Sequence, residues 1–229
     1  MTDVAAIVVA AGQGTRFGSD IPKQFLLLQN RPILVHTLER LQNAAVISQI
    51  IIVAGKDWVP YLGNEIVGRY NFDKISAIVP GGKARQDSVF AGLQALSTLH
   101  EIVVVHDAVR PLFSASLLER VIAGCAAFDA GVPGLPARDT VKKIAGERVI
   151  ETVPRESLRL VQTPQAFRYQ KLLQAFTQAA EANFYSTDEA ALVEQFGGSA
   201  GWVEGEETNI KITTPRDLQI AEVFLQSLL

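Results

Sequence analysis

Three short runs along the chain, VAAIVVAA (4–11), QIIIVA (49–54) and EIVVVHDA (101–108), are apolar at nearly every position and rich in Val and Ile. Between them, ILVHTLERLQ (33–42) and DSVFAGLQALSTL (87–99) repeat apolar residues at spacings of three and four. Continuous apolar runs fit strands covered on both faces, and the amphipathic stretches fit crossover helices. The alternation predicts an α/β fold with a mostly parallel sheet. SASLLERVIAGCAAF (114–128) reads as a further helix, with Leu117, Leu118, Val121, Ile122 and Cys125 on one face and Ser114 or Ser116 as its N-cap.

The pattern changes after Gly131. TVKKI and RVIETV, joined through Ala145-Gly146-Glu147, read as a β-hairpin whose many charges suit it poorly to a core. Residues 137–156 are therefore expected to project as an arm, reaching into a partner subunit or lying as a solvated surface hairpin. YQKLLQAFTQAAEA (169–182) and TDEAALVEQFG (187–197) return to helix. NIKITT (209–214) reads as a closing strand, and PRDLQIAEVFLQSLL (215–229) as a last helix, with Thr214 before a Pro at its first position.

With 229 residues, 48% of them hydrophobic, the chain is expected to form one domain over 1–229. A formal charge of -3 leaves no overall basic field for a nucleic-acid backbone, so any bound anion is small and met by local charges. The lone Cys125 makes no internal disulfide or multi-Cys metal site, which favours a reducing cytoplasm. No apolar run approaches the roughly 20 residues of a membrane span. The N-terminus, with Asp3 and no basic segment ahead of its apolar run, reads as a first strand and not an export signal.

Candidate chemistry concentrates in VAAGQGTRFGSDIPKQF (9–25), where Gly12, Gly14 and Gly18 stand with Arg16 and Lys23. A P-loop would end in Gly-Lys-Ser or Gly-Lys-Thr, and none is present. A dinucleotide-binding turn finds Phe17 where its third glycine belongs, and no acidic residue ends a strand about 20 residues further on. Gly18, Ser19, Asp20 and Pro22 argue for a loop and against a helix. Arg16 and Lys23 can then aim at whatever the backbone N–H groups surround, or stay solvated.

The stretch AAGQGTRFGSDIPKQF resembles the signature of the sugar-phosphate nucleotidyltransferases, and within them the family of 2-C-methyl-D-erythritol 4-phosphate cytidylyltransferases. PGGKARQDSVFAGL (80–93), VVVHDAVRP (103–111), PARDTVKK (136–143), TPQAF (163–167), TDEA (187–190) and VEGEETNIKITTPRDL (203–218) follow in the family's order. The resemblance implies a three-layer Rossmann-like nucleotidyltransferase fold with a projecting hairpin arm. It also implies a reaction in which CTP and methylerythritol 4-phosphate give a cytidine diphosphate conjugate and pyrophosphate.

By the same resemblance Arg16, Lys23 and Lys211 act on the reacting phosphate. Ala10, Ala11, Gly12, Gly14, Gly81, Gly82, Arg85, Ser88, Asp107 and Ala108 bind CTP, and Asp107 helps to hold Mg²⁺ or another divalent cation. The acceptor falls to Asp107, Arg110, Thr140, Arg155, Thr163 and Thr187, with Thr140 and Arg155 on an arm that grips it across a homodimer interface. Plainer readings stand beside these. Asp87 or Ser88 caps a helix, Asp107 caps a turn, Arg110 pairs with Asp107, and Thr187 with Asp188 and Glu189 starts a helix; His106 reads as structural. A pentitol-phosphate cytidylyltransferase and a non-catalytic nucleotide-binding regulator are the rival functions, while a metal-dependent glycosyltransferase lacks its Asp-x-Asp triplet.

Overall fold

The computed structural model describes residues 3–12, 17, 21–97 and 100–227. The expectations for Gly14 and Arg16 therefore lie outside the described residues. The chain opens with β1 (Val4–Ala10), a small hairpin of β2 (Leu27–Leu28) and β3 (Arg31–Pro32), α1 (Ile33–Asn43) and β4 (Ile47–Ala54). A short α2 (Val59–Tyr61) runs on as wider helical turns over Leu62–Gly68 and leads to β5 (Ile75–Pro80), α3 (Arg85–Gln94) and β6 (Ile102–Asp107). Then come α4 (Ala115–Gly124), β7 (Ala130–Pro136), β8 (Val141–Ala145), β9 (Arg148–Val153), β10 (Arg159–Val161) and β11 (Gln165–Arg168). The chain closes with α5 (Tyr169–Glu181), α6 (Glu189–Gln195), β12 (Ala200–Glu204) and α7 (Pro215–Ser227).

Eight strands form one sheet in the order β10-β7-β11-β6-β1-β4-β5, with β12 also pairing β7. Pairing is parallel for β6-β1-β4-β5 and for β12 with β7, and antiparallel where β11 and β10 join. Successive side chains of a strand face opposite sides. Val4, Ala6 and Val8 of β1 join a layer with Leu38 of α1 and Leu117 and Val121 of α4. Ile7 instead joins Val89 and Leu93 of α3, Leu172 and Phe176 of α5, and Leu192 of α6. Each fully buried Val, Leu, Ile or Phe side chain among these stabilises the fold by roughly 1.5–3 kcal/mol. A smaller cluster seats α7 through Ala221 and Leu225 on Leu28, Ile33, Val109 and Ile212.

The expected strand NIKITT is absent. Among the described residues, the stretch 209–214 has no ladder partner; Ile212 N–H donates to Val109 O, in the loop after β6, at 2.9 Å. Asn209 and Ile212 are buried, so anchoring by side chains replaces pairing. α4 stops at Gly124, with Ser114 as its cap, accepting from Leu117 N at 3.0 Å. Strands β8 and β9 form the expected hairpin, and Gly146 takes the positive φ of +57° that its turn requires. Ile144, Val149 and Ile150 on it are 65%, 54% and 50% exposed, so its apolar side chains are not folded into this chain's core.

Cys125 packs in the α4 layer at 2% exposure, and burial pushes its thiol up to about 11. Labelling with a thiol reagent at about pH 8 is expected to be negligible in the native protein and complete in denaturant, because only an accessible thiolate reacts. Rapid labelling of the native protein would contradict this packing. Among the described residues no helix is long and apolar enough to cross a membrane.

Candidate active site

Strands β1 and β6 lie side by side at the middle of the sheet, and the chain leaves their carboxyl ends in different directions. Open α/β sheets bind ligands at such a point. A cavity of about 210 Å³ occurs here, lined by Val9–Gly12, Lys23, Gln24, Gly82–Arg85, Ser88, Asp107–Val109 and Lys211. Of the residues expected to bind CTP or act on its phosphates, Ala10, Ala11, Gly12, Lys23, Gly82, Arg85, Ser88, Asp107, Ala108 and Lys211 all line it.

The position of Lys23 follows from its neighbours. Pro22 starts a single 3₁₀ turn over Lys23–Phe25 in which Gln24 and Phe25 are buried. Phe25 packs on Trp58 and Tyr61 at centroid distances of 4.7 and 5.2 Å. Gln24 Nε2 donates to Ala10 O at 2.6 Å and to Gly12 O at 3.3 Å, tying this turn to the end of β1. The backbone of Lys23 is thus held on both sides where it lines the cavity.

The second wall is the loop before α3. Gly81 N–H donates to Ala54 O at 2.7 Å, and Gly82 N–H donates to Ser88 Oγ at 3.2 Å. Asp87 Oδ2 accepts from Ala84 N at 2.9 Å, so Asp87 caps the helix from its third position, and Ser88 Oγ donates to Ala84 O at 3.0 Å. A Cβ on residue 82 would lie 2.3 Å from Asp87 Cβ, so this close turn admits only glycine without displacement.

Asp107 ends β6 at 6% exposure. Its Oδ2 meets Lys211 Nζ at 2.8 Å and Arg110 Nε at 3.5 Å, and its Oδ1 meets Arg85 Nη2 at 3.5 Å. Burial alone would raise its pKa, but the charges of Arg85, Lys211 and Arg110 outweigh that and hold it well below the usual carboxylate range. A depressed carboxyl pKa stabilises the fold above the unfolded value of about 4 and loses that contribution as acid protonates it. Arg85 also pairs with the buried Glu189. Three cations therefore face two carboxylates, an excess of positive charge beside the cavity.

Arg110 pairs with Asp107, as one of its two expected readings has it, and donates from Nη1 to Asn209 O at 2.8 Å. Thr163 is buried. Its Oγ1 accepts from Asp107 N–H at 3.0 Å and contacts His106 Nδ1 at 3.1 Å. His106 Nε2 lies 3.0 Å from Arg110 O, which can only accept. The proton therefore sits on Nε2, and the Thr163 hydroxyl donates to Nδ1. Burial pushes His106 down to about 4, so the ring is neutral near pH 7.

The structure does not bring every expected residue together within one chain. Thr140 and Arg155 are exposed near the hairpin and do not line the cavity; Arg155 Nη1 donates to Arg138 O. Thr187 is exposed ahead of α6, whose cap is Asp188, accepting from Ala191 N at 2.9 Å. Sequence reasoning passed over Gln24 and Gln162 and read Glu189 only as an acid at a helix start; all three are buried. Gln162 Nε2 donates to Glu206 O at 2.8 Å and Asn209 O at 3.3 Å, while its Oε1 accepts from Glu206 N at 3.1 Å and Asn209 Nδ2 at 3.4 Å. The polar letters Q and E inside PKQF and TDEA, and the Q directly before TPQAF, were the available signal.

Among the described residues no three His, Cys, Asp or Glu side chains gather into a metal cage. Asp107 nevertheless offers one ionised carboxylate to the cavity. That donor set fits a hard divalent cation that takes a single carboxylate and completes its shell with phosphate and water.

The layered sheet and the cation-rich cavity at the ends of β1 and β6 are those of a Rossmann-like nucleotidyltransferase. Residues 4–227 match the family model described as IspD: 2-C-methyl-D-erythritol 4-phosphate cytidylyltransferase, and the chain belongs to that family. It is 42% identical over 226 residues to the 2-C-methyl-D-erythritol 4-phosphate cytidylyltransferase of Geotalea uraniireducens, covering 98% of this chain and 97% of the relative. The 4-diphosphocytidyl-2C-methyl-D-erythritol synthase of Anaerococcus prevotii superposes with a TM-score of 0.86 at 32% identity, covering 98% of this chain and 99% of that one. The Francisella tularensis 2-C-methyl-D-erythritol 4-phosphate cytidylyltransferase does so at 0.83, also at 32% identity, covering 97% and 100%.

Proposed function

We propose that the chain transfers CMP from CTP to 2-C-methyl-D-erythritol 4-phosphate. The products are 4-diphosphocytidyl-2-C-methyl-D-erythritol, an isoprenoid precursor of the non-mevalonate pathway, and pyrophosphate. The observation that carries this reading is Asp107 ringed by Arg85, Arg110 and Lys211 in a cavity that Lys23 also lines. A phosphate oxygen of the acceptor attacks the α-phosphorus, the bond to the β-phosphate breaks, and pyrophosphate leaves with the electron pair. The acceptor is itself the nucleophile, so the protein's part is alignment and stabilisation of charge on the oxygens of the five-coordinate state.

In this reading Lys23, Lys211 and Arg16 stabilise that charge. Ala10, Ala11, Gly12 and Gly14 follow the triphosphate, Gly81, Gly82 and Ser88 select the base, and Asp107, Ala108 and Arg85 hold ribose and phosphates. A divalent cation, when bound, neutralises triphosphate charge and polarises the α-phosphate; Asp107 is the residue that would hold it. Arg110, Thr163 and Thr187 serve the acceptor side from one chain, with Thr163 acting through Asp107.

Thr140 and Arg155 complete the site of a second copy, in a homodimer joined through the 137–156 arm of a single 1–229 unit. The exposed Ile144, Val149 and Ile150 on that arm support this. The lone, buried Cys125 and the charge of -3 fit a cytoplasmic enzyme of small molecules, with no nucleic-acid or membrane partner.

The deciding experiment follows pyrophosphate release with CTP and either methylerythritol 4-phosphate or ribitol 5-phosphate. Turnover is expected with the first at least about a hundredfold more efficient than with the second, as for a site built to pair a substrate's polar groups. Faster turnover with ribitol 5-phosphate would replace this acceptor, and no turnover with either would return the chain to a nucleotide-binding regulator.

A further inference from the structure

We propose that Glu189 is a positioning residue for nucleotide binding, one that holds the Arg85 guanidinium over the cavity shared with Asp107 and Lys23. The inference rests on the CTP-using reading above and assigns a role to the part of TDEA that the expected contacts left unused.

Glu189 opens α6, yet its side chain is only 2% exposed. A buried carboxylate is costly unless a charge pairs it and hydrogen bonds satisfy it. Arg85 does both, with Nη1 reaching the two Glu189 oxygens. The other arm of the same guanidinium, Nη2, points at Asp107 Oδ1, 3.5 Å away. One planar group is therefore gripped from two sides, by a carboxylate on α6 and a carboxylate at the end of β6. Two anchors at opposite ends fix its plane, which the longer contact to Asp107 alone would leave free to swing, with its rotamer entropy restored.

Glu189 is itself fixed from several directions. The cap residue Asp188 accepts from Gln165 Nε2 at 2.9 Å, which ties the start of α6 to β11. Gln86, next to Arg85, donates to Phe184 O at 2.9 Å and accepts from Ser186 N at 2.9 Å, which ties the approach to α6 to α3. The helix that carries Arg85 and the segment that carries Glu189 are thus joined by bonds independent of the ion pair. Glu189 is not needed to bring the two together, and the effect of its charge falls on the guanidinium.

The test compares the near-isosteric Glu189→Gln with the wild-type dimeric enzyme, measuring CTP affinity by titration calorimetry, steady-state constants by pyrophosphate release, and melting temperature. The expected result is a CTP dissociation constant raised about tenfold, the effect of weakening one charge-assisted hydrogen-bonded pair. The acceptor KM should stay within about twofold and kcat at saturating CTP within about threefold. In an Arg85→Ala background, Glu189→Gln should shift CTP affinity by less than about twofold, because the group it positions is gone.

Unchanged CTP affinity in Glu189→Gln, with or without a lower melting temperature, would overturn the inference, as would an equal loss in both backgrounds. Should Glu189→Gln not fold, Arg85→Met with Glu189→Leu removes both charges and should bind CTP as Arg85→Met alone does; appreciably weaker binding overturns it. Wild-type protein without cytidylyl transfer would remove the parent reading as well, whereas normal wild-type turnover with an indifferent Glu189→Gln removes this inference alone.

Discussion

Lys23→Ala is expected to lower turnover by about two to three orders of magnitude while weakening CTP binding by about tenfold or less. The asymmetry follows from where the charge develops. CTP already carries its negative charge in the ground state, and many donors around the cavity share it. The α-phosphate gains density on its non-bridging oxygens only as the new bond forms, and a cation held at that atom is worth most then. Lys23 has the rigid support this requires, since Gln24 bonds back to Ala10 O and Phe25 is locked against Trp58 and Tyr61. Single-turnover rates beside equilibrium CTP titration separate the two effects. Turnover near the wild-type value would remove Lys23 from the chemistry.

Asp107→Asn should cost at least about a hundredfold in turnover and about 2 kcal/mol in stability, because it leaves Arg85, Arg110 and Lys211 facing one another without their shared anion. The stability figure is set below that for a fully buried pair, since Lys211 and Arg85 keep side-chain exposures of 39% and 29%. Binding separates a role with metal from a role with cations alone. Without divalent cation, the variant should bind CTP as well as the wild type or better, since a carboxylate no longer opposes the phosphates. With Mg²⁺, the affinity that the wild type gains should largely disappear. Urea unfolding with CTP titrations in EDTA and in Mg²⁺ reads all three effects. Turnover within a few-fold of the wild type would free Asp107 of any part in the reaction.

The parts of this molecule legible in its sequence are those whose residues answer to one physical demand. β1, β4 and β6 lie in the middle of the sheet, so both faces want apolar side chains and the runs announce themselves. β7 was hidden because it holds Gly131, Pro133, Gly134 and Pro136, residues that break strand patterns; the glycines answer to close packing, since a Cβ on residue 131 would lie 2.0 Å from Val121 O of α4 and one on residue 134 would lie 2.9 Å from Arg159 Cβ of β10. NIKITT misled for the opposite reason. Its alternation is that of a strand, yet its buried Ile212 docks on β2, α1, the loop after β6 and α7, and among the described residues no strand pairs with it. The cavity's residues were legible wherever a motif placed cation, glycine and carboxylate near a strand end. Glu189 and Gln162 were not, because a buried polar side chain looks like a surface one until its partners, far along the chain, are known.

Gln162 also determines how much slack the neighbouring loop has. One amide meets both ends of the stretch from Glu206 to Asn209, using its oxygen and its nitrogen alike, and two residues later Lys211 reaches Asp107. A loop bound at its two ends by one side chain has a set contour length. Added length is therefore what this stretch tolerates least: a single residue inserted between Glu206 and Lys211 would carry the lysine off its carboxylate while leaving the sheet whole.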